Sequence, residues 1–239
     1  MTTALCCSGC GIVLPDHEPF RYCAACRRAA EDPITTNDYW RHRGEAYQPG
    51  WWVDHYWADW QVEPRQFVAN AMAQYGPFAS VLEVGCHCGP NFRLWRQRWP
   101  TVELIGVDLN HEAIAFGRHK FADDPLTVFV EADIFACRTL PAVDLVVGYA
   151  MLTTIEPQRI FPLMRSLWAT ARVGIVFCEA VDIGGRLVGR TSGPTPSWRH
   201  DYAGLLAALT PPPGRWALSS LRSTQDAAEG LIIACKETP

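Results

Sequence analysis

The 239-residue chain has no apolar run of about eighteen residues, the length a membrane-spanning helix needs. It does not open with a basic stretch followed by an apolar one, as a secretory signal does. These absences predict a cytoplasmic protein with no membrane partner. An excess of positive charge is missing too: 21 Lys and Arg stand against 25 Asp and Glu, for a net charge of -4. A general grip on nucleic-acid phosphates needs a basic surface, so no general nucleic-acid patch is expected. Two glycine motifs are also absent. Without G-x-G-x-x-G a dinucleotide-binding fold is disfavoured, and without G-x-x-x-x-G-K-[ST] there is no phosphate-cradling P-loop.

Cysteine, by contrast, is plentiful. Five of the ten lie in the first 26 residues and others in apparent core strands, which is not a disulfide framework. Cys7-Ser8-Gly9-Cys10 and Cys23-Ala24-Ala25-Cys26 form two CxxC knuckles with twelve residues between them. Four thiolates held on two tight turns close a tetrahedral Zn²⁺ site, and Gly9 and Gly11 permit such turns. Residues 12–14 and 20–22 are expected as two strands of a small zinc ribbon over residues 1–38. Cys6 is an alternative to Cys7 as partner of Cys10; the symmetric spacing favours Cys7. A redox dithiol is the competing reading and would need only one CxxC. Four thiolates leave no open coordination position, so the metal is expected to be structural or to serve docking.

Residues 39–76 form an aromatic-rich helical connector. Trp52, Tyr56 and Trp60 are four apart, so a helix places them on one face. Residues 63–75 read as a second helix, ended by Gly76-Pro77. The aromatics either glue the connector to the rest of the chain or cap a cofactor and wall an acceptor; the two roles can coexist. His42 and His55 are candidate bases by position only.

From residue 77 onward strands alternate with helices. Strands are expected at 81–84, 102–108, 127–131, 144–148 and 173–178, and helices at 91–99, 111–120 and 158–169. This pattern predicts an α/β fold with a doubly wound, mostly parallel sheet. A glycine- and proline-rich loop at 182–198 and a helix at 201–209 follow. Strands at 216–221 and 231–235, close enough to pair antiparallel, complete a seven-stranded sheet. The chain is organised around Val81-Leu82-Glu83-Val84-Gly85-Cys86-His87-Cys88-Gly89, a strand, a turn and a helix N-terminus, where open α/β sheets bind nucleotides. Asp108 ends the second strand 19 residues after Gly89, where such folds place a carboxylate for ribose hydroxyls. Asp133 follows the third strand, where helix capping is a common use of Asp.

With its Glu-x-Gly-x-x-x-Gly turn, Gly106-Val107-Asp108, Glu131-Ala132-Asp133-Ile134 and Asp144-Leu145-Val146-Val147-Gly148-Tyr149, the chain resembles the class I S-adenosylmethionine-dependent methyltransferases over residues 77–239. The resemblance implies a Rossmann-like methyltransferase fold with S-adenosylmethionine as cofactor. It implies that Glu83 faces the methionine ammonium, directly or through water. Gly85 and Gly89 would let backbone approach the cofactor, and Asp108 would hold the ribose with Leu109 against the adenine. Asp133 would accept from the adenine amine, and Ile134 would pack on the ring. Gly148 and Tyr149 would line the methionine side. The family usually has a small or polar residue where His87 stands. The Cys86-His87-Cys88 order is thus a departure, and it admits a second metal reading without obvious distant partners.

Methyl transfer from a sulfonium is an in-line displacement, and an oxygen acceptor also needs its proton removed. Glu179, His200, Asp201, His55 and His87 are the candidate bases. Asp201, and less so His200, have helix capping as an alternative. The segment after the fourth strand is not Asp/Asn-Pro-Pro-Tyr and lacks the Cys after Pro of 5-methylcytosine enzymes. Residues 150–157 are similar to the corresponding segment of small-molecule methyltransferases. Residues 197–204 are similar to a stretch of methylases of bacterial surface-sugar pathways. The expected acceptor is therefore a small molecule or glycan, methylated on oxygen or nitrogen. The alternatives are an RNA or protein substrate docked by the zinc ribbon, and a non-catalytic cofactor-binding scaffold.

Overall fold

The computed structural model describes residues 36–42, 51–58, 62–137, 139–181, 189–190, 197–223 and 228–236. The expected zinc ribbon, with Cys7, Cys10, Cys23 and Cys26, lies outside the described residues, as does Trp60. Among the described residues no helix is long and apolar enough to cross a membrane.

Three short helices lead in: α1 (Thr36–Arg41), α2 (Trp51–Trp57) and α3 (Val62–Met72). The first spans the expected boundary between residues 38 and 39. A 3-10 turn (Ala73–Tyr75) extends α3 to Gly76, whose φ of 77° suits only glycine comfortably. Then β1 (Ser80–Val84), α4 (Pro90–Arg98), β2 (Glu103–Asp108), α5 (His111–Lys120), β3 (Thr127–Glu131) and β4 (Val143–Tyr149) alternate. They are followed by α6 (Pro157–Thr170), β5 (Ala171–Val181), a two-stranded ribbon of β6 (Gly189–Arg190) with β7 (Trp198–Arg199), α7 (Tyr202–Ala207), β8 (Arg215–Ser223) and β9 (Ala228–Cys235).

The main sheet runs β3-β2-β1-β4-β5-β9-β8. The first five strands are parallel, and β9 pairs antiparallel with both β5 and β8. This is the seven-stranded, mostly parallel sheet that the alternation predicts. All five residues of β1 are buried, as befits a central strand covered on both faces. Alternation along β1 divides the core. Leu82 and Val84 join Met164, Trp168 and Phe177 under α6, whereas Val81 joins Met72, Phe92, Trp95 and Leu104 under α3 and α4. Each fully buried side chain of this size contributes about 1.5–3 kcal/mol.

Two differences from expectation bear on function. Strand β5 runs three residues past Cys178, so Glu179 lies within the sheet. After β3 a turn forms instead of a helix: Asp133 Oδ1 accepts the Phe135 N–H at 2.9 Å. The side chain thus fixes a turn two residues on and caps no helix.

Candidate active site

A cavity of about 310 Å³ opens at the carboxyl edge of the sheet, where β1 and β4 are neighbours. Its floor comes from the strand ends: Val84, Gly85 and His87 after β1, and Asp108, Leu109 and Asn110 at β2. Ala132, Asp133, Ile134 and Phe135 form one wall; Tyr149, Ala150, Met151, Thr154 and Ile155 form another. Asn37 and Trp40 of α1 and Tyr56 of α2 close the rest. The aromatic connector packs on the main domain and also borders the cavity. Tyr56 walls the cavity, and Trp57 packs edge-on against Phe116 and Phe121.

Asp108 is held at both carboxylate oxygens. Its Oδ2 accepts the His87 N–H at 2.8 Å, and its Oδ1 accepts the Asn110 N–H at 2.9 Å. Each oxygen keeps lone-pair capacity for a further donor. Burial raises the carboxyl above its usual range, against the pull of those N–H groups. Gly85, at φ 73°, borders the cavity, and a Cβ there would lie 2.6 Å from Met151 Cγ. Among the described residues His87 is one of two non-glycine residues at positive φ, 53°, a conformation that costs about 1–2 kcal/mol. That geometry aims its N–H at Asp108. Its ring stacks on Tyr56 at 4.4 Å and 33°, with Nδ1 3.1 Å from Cys88 Sγ.

Leu109, Asp133, Ile134 and Tyr149 line the cavity. Asp133 carries an unforeseen partner, the Asn37 Nδ2, which donates to Oδ2 at 2.6 Å. Gly89 and Gly148 do not line the cavity. A Cβ on Gly89 would meet the Phe129 ring at 2.5 Å, and one on Gly148 the Phe177 ring at 2.7 Å. Both glycines make room for core aromatics, and Gly89 also stands as N-cap of α4 in the left-handed conformation.

Glu83 lies below the floor, 1% exposed. Asn91 Nδ2 donates to its Oε1, and Arg65 Nη1 donates to Asn91 Oδ1 at 2.9 Å. The buried Arg65 also donates to the Tyr56 carbonyl at 3.0 Å and sits 5.7 Å over the Tyr149 ring. Burial pushes the Glu83 carboxyl up to about 8, against the Asn91 bond and the Arg65 charge. Its Oε2 is buried with no hydrogen-bond partner among the described residues.

The expected bases fare differently. Glu179, 1% exposed, does not line the cavity. Its Oε1 accepts the N–H groups of Met151 and Leu152 at 3.0 and 2.9 Å, and its Oε2 that of Thr153 at 3.0 Å. Burial raises it to about 7. All three bonds hold the wall after β4, so Glu179 is a scaffold carboxylate and not a base facing substrate. His200 is also displaced from the cavity. It is buried, its Nε2 lies 3.1 Å from the Leu152 carbonyl, and burial lowers its pKa. Asp201 caps α7 by accepting the Gly204 N–H at 2.9 Å, the capping alternative. His42 and His55 are exposed and outside the cavity. Cys86 and Cys88 are buried, and no metal-ligating group of His, Cys, Asp and Glu occurs among the described residues.

Asn37, Arg65 and Asn91 escape the sequence reading. Arg65 had a legible signal: it stands three, four and seven residues before the buried Val68, Ala69 and Met72, on the apolar stripe of α3. Asn37 had none.

Residues 81–174 match the methyltransferase domain family. Trans-aconitate 2-methyltransferase from Escherichia coli (strain K12 / DH10B) is 34% identical over 88 residues, 36% of this chain and 34% of that protein. The chain thus spans about a third of the length of the curated relatives it matches. Solved structures agree with the fold over most of the chain. The N-methyltransferase NodS from Bradyrhizobium japonicum WM9, in complex with S-adenosyl-L-homocysteine, aligns with a TM-score of 0.60 at 16% identity, covering 85% of this chain and 100% of that one. Magnesium protoporphyrin IX methyltransferase from Synechocystis PCC 6803 with bound S-adenosylmethionine gives 0.58 at 14% identity, covering 86% and 99%.

Proposed function

We propose that this chain, whose residues 81–174 match the methyltransferase domain family and whose sheet has the class I methyltransferase fold, transfers a methyl group from S-adenosylmethionine to a small molecule or glycan, on oxygen or nitrogen. The observation that carries the reading is Asp108: a half-buried carboxylate, fixed by two backbone N–H groups, on the floor of a cavity that Gly85 keeps open. Such an acceptor pair fits vicinal ribose hydroxyls. Leu109 and Ile134 offer apolar faces for a flat base, and Asp133 an acceptor for its amine. The orphaned Glu83 Oε2 suits an ammonium or a bridging water. Asp108 and Asp133 give the lining an acidic character that favours a cationic ligand.

S-adenosylmethionine supplies a methyl already activated on a sulfonium. The chain's task is then to align the acceptor and exclude water. Trp40, Tyr56, Tyr149 and Met151 do the second with apolar and aromatic surface. Glu179 holds the backbone of Met151, Leu152 and Thr153 in place for the first. Tyr149 and His87 are polar lining side chains beside the turn and β4, and they are the ones proposed to face the acceptor.

Residues 1–38 are proposed to bind one structural Zn²⁺ through Cys7, Cys10, Cys23 and Cys26. Among the described residues Cys86, Cys88, Cys137, Cys178 and Cys235 form no disulfide. Calorimetry of the full chain with S-adenosylmethionine tests the central reading; absence of binding sinks it. Labelled cofactor incubated with extracted metabolites, glycans, RNA and protein identifies the acceptor. Label in RNA or protein alone would favour docking by the ribbon, and label in nothing a scaffold. Elemental analysis far below one zinc per chain would remove the ribbon.

A further inference from the structure

Helix α1 has two ties to the cavity, and they are independent. Asn37 Nδ2 donates to Asp133 Oδ2 at 2.6 Å. Asn110 Nδ2 donates to the carbonyls of Trp40 and Arg41, both at 3.1 Å. Asn110 is itself fixed: it is 2% exposed, and its Oδ1 accepts the Ala113 N–H at 2.9 Å as N-cap of α5. One amide thus joins the end of α1 to the start of α5, two residues beyond Asp108. Between the two ties, Trp40 turns into the cavity wall. The Asp133 carboxylate is held from both sides, by the Phe135 N–H on Oδ1 and by Asn37 on Oδ2, and each oxygen retains a lone pair.

We propose that α1 is a working part of the nucleoside end of the site: Trp40 closes the base pocket, Asn37 orients Asp133 toward the adenine amine, and cofactor occupancy and docking of α1 are linked. This rests on the S-adenosylmethionine reading above. Three consequences follow from the contacts. Removing Trp40 opens one side of the base pocket to water. Without Asn37, Asp133 keeps only the Phe135 N–H on Oδ1 and loses the bond that fixes Oδ2, so recognition of the amine weakens more than recognition of the rest of the ligand. By linkage, a ligand that binds only when α1 is docked must stabilise α1 in its docked place.

The test uses the full chain and S-adenosylhomocysteine. Calorimetry of Trp40→Ala and Asn37→Ala should show affinity about tenfold weaker, with melting temperatures close to the unmodified chain's. The Asn37 variant should also lose much of the preference for S-adenosylhomocysteine over its deaminated inosyl analogue, a readout that a merely structural role would not move. Hydrogen exchange of residues 36–42 should slow on ligand addition in the unmodified chain. Asn110→Ser keeps an oxygen to cap α5 but cannot reach the two carbonyls, so exchange there should be fast before ligand is added. If the unmodified chain binds the ligand while both α1 variants bind equally well, with preference and exchange unchanged, the role of α1 is overturned and the cofactor reading stands. If the unmodified chain does not bind the ligand, the cofactor reading itself fails.

Discussion

Replacing Asp108 with alanine separates a ligand-binding acid from a merely structural one. In the folded chain the carboxylate accepts the His87 and Asn110 N–H groups. Alanine leaves both donors without that acceptor. A fully buried orphan costs about 1–3 kcal/mol. The residue is half-buried, so water reaches the vacated space, and the loss should be about 2 kcal/mol in all. For a chain of this size that lowers the melting temperature by about 4–8 °C. The binding loss should be larger. Two charge-assisted bonds to ribose hydroxyls, replaced by water, are worth about 2–4 kcal/mol together, a rise in Kd of about 30- to 700-fold. Asp108→Asn should fall between: its amide oxygen keeps one N–H, and its NH2 confronts the other. Scanning calorimetry and titration with S-adenosylhomocysteine read the two quantities on the same sample. Burial raises the Asp108 pKa, so affinity in the unmodified chain should fall as pH drops through that raised value and the carboxylate is protonated. A folded Asp108→Ala protein with unchanged Kd refutes the ribose assignment.

Glu179→Ala removes the acceptor of three backbone N–H groups and should cost about 3 kcal/mol, a fall of about 6–12 °C in Tm, with Gln restoring part. A general base would instead give lost turnover at unchanged Tm. Glu83 and Glu179 have folded pKa values raised to about 8 and about 7 from 4.5. The folded state therefore holds more protons than the unfolded one across that window. Their contribution is full below about pH 4.5 and declines as pH rises toward 8. Melts at pH 5 and pH 8 should show that decline, and Glu83→Gln should flatten it; identical slopes would count against the burial argument. At Gly174 a Cβ would run into the Ala234 carbonyl and lie 2.6 Å from the Tyr75 ring. Gly174→Ala should therefore cost about 3 kcal/mol by displacing β9 from β5, again read as Tm. A neutral result would contradict the register Gly174↔Cys235.

The sheet was legible because its signals are local. Apolar runs around Glu83 and before Asp108 and Asp133 mark the strands, and the turn chemistry of Gly85 marks the crossing point. The cavity acids follow from the same reading, since a strand's carboxyl end faces the site wherever helices alternate with it. The misplaced residues depend on packing between distant segments. Glu179 looked like a base because it stands near a strand end, yet the chain after β4 folds back over it and donates to both oxygens. His200 is drawn to the Leu152 carbonyl in the same way. Gly89 and Gly148 sit in motif positions, but their space is set by Phe129 on β3 and Phe177 on β5, each on an element well downstream of the glycine it crowds. No single-segment pattern reports such a neighbour.

The central place of β1 has a kinetic consequence. Val81 pairs with Leu104 across the whole of α4, and with Leu145 across α4, β2, α5 and β3. Gly174 waits for Cys235 on β9, the last of the described strands. Pairing over such separations closes long loops before any contact rewards it, so the sheet should assemble slowly. The cavity exists only once β4 has joined β1, because its two ends belong to those different partners. A nucleoside ligand cannot help nucleate this fold. It can only trap the finished one, and on refolding its signal should trail the return of secondary structure.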